Sequence, residues 1–71
     1  MTDEERFELY DEWKHLLFLR SKFEEKIQEQ ENLLQEDIPE EEKEIVRVKI
    51  ESFREEIEDI DNKINEIRKR L

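Results

Sequence analysis

The chain has 71 residues, of which 51% are charged and 34% hydrophobic; it contains no cysteine and no glycine and carries a net charge of −10. That length allows one small domain at most, and an acidic surface repels the phosphates of nucleic acids and anionic membranes. Without cysteine there is neither a disulfide framework nor thiol chemistry. The longest apolar run, Leu16 to Leu19, is far too short to span a bilayer. The acidic N-terminus does not read as a signal peptide, so a cytoplasmic protein without membrane contact is the expectation.

So much charge suits a disordered chain, but the apolar residues are bulky and regularly spaced, which suits a long paired helix. Thr2-Asp3-Glu4-Glu5 opens the first helix: Thr2 is placed to cap a free N–H, and the acids favour the positive end of the helix dipole. Nothing interrupts helix until Glu36-Asp37-Ile38-Pro39, where proline disfavours helix at Ile38 and suits the first position of a new helix. Glu40, Glu41 and Glu42 follow at that helix's start, and Arg68, Lys69 and Arg70 end it, both matching its dipole. The expected fold is all-α: a single antiparallel two-helix hairpin with helix 1 over about 3–35, a turn at about 36–38 and helix 2 over about 39–71.

The second helix carries the cleaner stripe. Val46, Ile50, Phe53, Ile57, Ile60, Ile64, Ile67 and Leu71 follow alternating steps of four and three. The first helix carries Leu9, Trp13, Leu16, Phe23, Ile27 and Leu34 on the same spacing, broken by Arg20 and Gln30. A turn centred between Glu36 and Asp37 pairs Ile27 with Val46, Phe23 with Ile50, Leu16 with Ile57, Trp13 with Ile60 and Leu9 with Ile64. In that register Arg20 lies opposite Phe53, Glu31 near Arg47, Glu5 near Arg70 and Lys26 near Lys49, the last a mismatch.

Helix 1 has more apolar surface than one seam can bury. At about 100° per residue, Phe7, Tyr10, Leu17 and Phe18 form a second stripe beside the first. With Trp13 they crowd into twelve residues, and a clustered aromatic set of this kind marks an interface. Phe7, Tyr10, Trp13, Leu17 and Phe18 are therefore the candidate protein-binding residues. On helix 2, Ile45 and Val48 face away from the stripe.

Signs of chemistry are few. Glu12-x-x-His15 has the spacing found in di-iron carboxylate bundles, but Trp13 and Leu16 take the core and the pair tilts outward. Phe53-Arg54-Glu55-Glu56-Ile57-Glu58-Asp59-Ile60-Asp61-Asn62-Lys63-Ile64 resembles the first helix of the all-helical chorismate mutases, which implies a substrate-binding role for Arg54 alone. In that family the helix comes first and later helices bring further cationic ligands; here it comes last, with only Arg68, Lys69 and Arg70 beyond it. One histidine, no nucleophile-and-base arrangement and no phosphate loop leave catalysis, cofactors and metal ligation without support. The expected function is a non-catalytic coiled-coil assembly or adaptor module, dimerising into a four-helix bundle or docking on a protein partner. Two alternatives follow from the same residues: an acidic mimic of nucleic acid that blocks a nucleic-acid-binding protein, and a metal-binding helical bundle.

Overall fold

A computed structural model describes all 71 residues as two packed helices without strands, α1 (Asp3–Leu34) and α2 (Glu40–Arg70). The Thr2 hydroxyl accepts from the Glu5 N–H at 3.2 Å, the cap expected from the sequence. α1 ends without a left-handed residue, in keeping with a chain that has no glycine. Instead its last turn tightens: the Gln35 N–H donates to the Asn32 carbonyl and the Glu36 N–H to the Leu33 carbonyl. Pro39 stands one position earlier than expected, as the N-cap of α2 rather than its first residue. Its ψ of 148° is extended, and its carbonyl accepts from the Glu42 and Lys43 N–H groups at 3.0 and 3.1 Å.

The expected stripes form the seam. In α1, Leu9, Trp13, Leu16, Phe23, Ile27 and Leu34 are all at least half-buried, and Arg20 and Gln30 lie in line with them. In α2, Val46, Ile50, Ile60, Ile64 and Ile67 are buried, with Phe53 and Ile57 half-buried between them. The tightest cluster joins Leu16 to Ile60, Ile64 and Ile67, with Leu9, Trp13, Leu19 and Phe23 packed around it. That cluster sits in the half of the hairpin where the chain ends meet. Leu71, the last member of the α2 stripe, is exposed rather than buried in the seam.

The register differs from the one a symmetric turn implies. Phe23 meets the ring of Phe53, centroids 5.9 Å apart, rather than Ile50. Arg20 reaches Asp61 rather than Phe53, and Glu31 pairs with Arg54 rather than Arg47. Arg47 turns instead to Glu40 and Glu44 on its own helix. α2 has slid by about one helical turn relative to α1. The cause is the linker: an extended approach through Pro39 starts α2 beyond the end of α1, so each helix overhangs the other at one end. The overall length agrees, since the hairpin extends 56 Å whereas 32 residues of helix span about 48 Å.

The slide also resolves the two irregular positions. Arg20 leaves the aromatic ring for a charge-assisted bond, its Nε donating to Asp61 Oδ1 at 2.7 Å, with Glu24 accepting from Nη1. The bond to Asp61, and then its negative charge, raise the Arg20 pKa above an already high value, so the side chain stays protonated. The cation over Phe53 is Lys26, with Nζ 5.7 Å from that ring and 5.2 Å from Phe23, which removes the Lys26–Lys49 mismatch.

Two measurements test this packing. Leu16, only 6% exposed, is the one buried residue of α1. Leu16→Ala costs about 2–5 kcal/mol in chemical denaturation, whereas Val48→Ala, at an exposed site, stays within about 0.5 kcal/mol. A double-mutant cycle on Arg20 and Asp61, whose side chains are 39% and 44% exposed, yields a coupling of about 0.5–1 kcal/mol. A coupling of Arg20 to Phe53 in place of Asp61 contradicts the observed register.

Candidate protein-binding surface

The outer surface of α1 is shaped by what the seam cannot take. Leu16 points into the core, and the next two residues are carried out of it by the helical rotation of about 100° each. Phe18 is consequently 57% exposed, and Phe7, on the same side about three turns earlier, is 72% exposed. Tyr10 and Leu17 lie between this face and the seam and are part-exposed. Four of the five candidate residues thus lie in a strip on the outer surface of the N-terminal half of α1, with Asp11 and Lys14 between them.

Trp13 stands apart from the other four. It is half-buried, packs against the Leu16 cluster, and holds Tyr10 edge-on with ring centroids 6.4 Å apart. Its indole Nε1 is shielded from solvent and has no acceptor within the chain. A shielded donor without a partner costs about 1–3 kcal/mol, so this end of the seam is not an optimised closed core. Trp13 joins the strip to the core as a floor.

Over that floor opens a cleft of about 490 Å³, lined by Tyr10, Trp13, Leu17, Ile64, Arg68 and Leu71. Arg68 and Leu71 belong to this surface although the periodicity of α2 assigns them elsewhere. Arg68 reads as a helix-terminal charge and Leu71 as a seam residue; only the slid register carries both across from Tyr10 and Leu17. A second, more polar groove on the other side holds Arg70 among Glu5, Glu8, Leu9 and Glu12, so the expected proximity of Glu5 and Arg70 is present as a shared groove. Lys22 lies over the Phe18 ring at 5.3 Å and covers part of it.

The remaining sequence candidates sit on open surface. Glu12 and His15 are both exposed, and no group of three or more acidic, histidine or cysteine side chains is placed to hold a metal ion. Arg54 is engaged by Glu31 at 3.4 Å. No helix is long and apolar enough to cross a membrane.

The chain matches no protein-family model, no curated protein and no solved structure. Its function has to be argued from the surface itself.

The metal reading has a direct test. Two exposed ligands on one helix face fall short of the three or four protein ligands of a stable site. Protein incubated with zinc or manganese and passed through a desalting column retains less than stoichiometric metal, and His15→Ala does not change that. One retained metal per chain, lost in His15→Ala, contradicts this expectation.

Proposed function

We propose that this chain is a non-catalytic assembly or adaptor module that works by protein–protein contact and self-associates as a homodimer. The interface is the N-terminal half of α1, with Phe7, Tyr10, Leu17 and Phe18 in contact and Trp13 supporting them from below. The observation that carries this reading is the strip itself. A chain with only six buried residues leaves two phenylalanines and a tyrosine exposed along the outer surface of one helix. Large apolar side chains contribute about 1.5–3 kcal/mol each on full burial, so covering the strip adds stabilisation on the scale of a small domain's whole stability. A two-fold axis lets one patch satisfy both copies, and pairing two hairpins gives a four-helix bundle with crossing angles near 20°.

Acidic mimicry of nucleic acid is the second reading, and one feature favours it. Residues 29–42, around the turn, contain seven acids and no base. Elsewhere the cations are interspersed and often locally paired, as Arg47 is with Glu40 and Glu44 and Arg54 with Glu31. That alternation suits a solvated helical rod better than an imitation of a phosphate backbone.

Light scattering at micromolar concentration gives twice the chain mass, and Phe18→Glu lowers both the mass and the melting temperature, since folding and association are linked. Val48→Glu, at a site 62% exposed on the far side of α2, does less. Raising salt changes the mass little; a binding activity that collapses with salt and competes with nucleic acid supports mimicry instead. A stable wild-type monomer indifferent to Phe18→Glu contradicts self-association and assigns the strip to a different protein.

A further inference from the structure

Resting on the self-association just proposed, we infer that the second copy packs antiparallel along α1, with the two-fold axis passing between Glu12 and Trp13. Phe7 of each copy then meets Phe18 of the other, and Asp11 of each copy meets Lys14 of the other. The argument begins with spacing. Phe7, Asp11, Lys14 and Phe18 are separated by steps of four, three and four, and all four are exposed. At about 100° per residue they lie on the side of α1 opposite the seam, the stripe that an antiparallel helix pair brings into layers. Antiparallel pairing sets the first layer of one copy against the last layer of the other.

Charge selects this arrangement over the parallel one. Asp11 and Lys14 take part in none of the ion pairs within the chain. In a parallel pair each meets its own like charge. The acidic turns, with seven acids and no base each, also come together. In the antiparallel pair both central layers join opposite charges, and the turns lie at opposite ends. The flanking positions agree: Asp3 falls beside Lys22 of the second copy, and Lys22 already leans over Phe18. The polar centre and aromatic ends fix both direction and register, since sliding by one turn sets phenylalanine against charge. The two α1 helices are innermost. Tyr10 and Leu17 border the stripe on one side.

Charge exchange tests this with the full chain, because both sites are exposed and neither variant disturbs the seam. Asp11→Lys sets cations against Lys14 in both central layers, and Lys14→Asp sets carboxylates against Asp11. Each variant alone weakens dimerisation about thirty-fold, two symmetry-related pairs switching from attraction to repulsion. Mixing the two variants restores a one-to-one dimer, because every central layer again holds opposite charges. Circular dichroism of each variant at a concentration where it is monomeric shows unchanged helix content. A wild-type dimer indifferent to both substitutions, or two weakened variants that do not recover on mixing, overturns this register and leaves self-association standing. A wild-type monomer overturns both.

Discussion

The apolar seam between α1 and α2 is the contact on which everything else depends. A helix of about thirty residues with this much like charge has little reason to persist alone, since most helical stability in proteins comes from packing an apolar face. Here that face is a single line of side chains on each helix, stepping by four and three. It keeps the helices side by side over their length, brings Leu16 against Ile60, Ile64 and Ile67, and determines which residues remain outside. The caps, the dipole-matched charges and the surface ion pairs refine a structure that the seam has already specified.

The seam is lopsided, and the lopsidedness produces the candidate interface. α2 contributes five of the six buried residues and α1 only Leu16. α2 has isoleucine at five of its eight seam positions and mostly charge elsewhere, so it is specialised for one contact. α1 divides its apolar residues between two directions: Leu9, Trp13, Leu16 and Phe23 inward, Phe7 and Phe18 outward. Trp13 belongs to both. It packs on the core, supports Tyr10, and forms the floor of the cleft that Arg68 and Leu71 complete from α2. A helix that is apolar on two sides within one half of its length is expected where a further surface arrives.

Much of this is legible in the sequence, because period and punctuation carry it. The stripe positions, the Thr2 cap, the proline that opens α2 and the outward placement of Phe7 and Phe18 all follow from local rules. The register does not. A stripe that repeats every three or four residues looks the same after sliding by one turn, so Phe23 finds an apolar partner in Phe53 as readily as in Ile50. Only the path of the linker settles it, and the extended backbone at Pro39 adds an offset that counting from a symmetric turn omits. Arg20 with Asp61, Lys26 over Phe53, and Arg68 and Leu71 beside Tyr10 all depend on that offset, which is why residue spacing alone misassigns them.

The central claim is that the outer face of α1 is covered by a second copy running the opposite way, and molecular length reports on it most directly. A single hairpin, or two lying parallel, measures 56 Å end to end. Antiparallel copies overlapping along residues 3–22, a stretch of about 30 Å, give a particle about 80 Å long. Small-angle X-ray scattering of the native chain at micromolar to millimolar concentration is predicted to show twice the chain mass and a maximum dimension near the longer value. A particle of hairpin length, whatever its mass, contradicts the account.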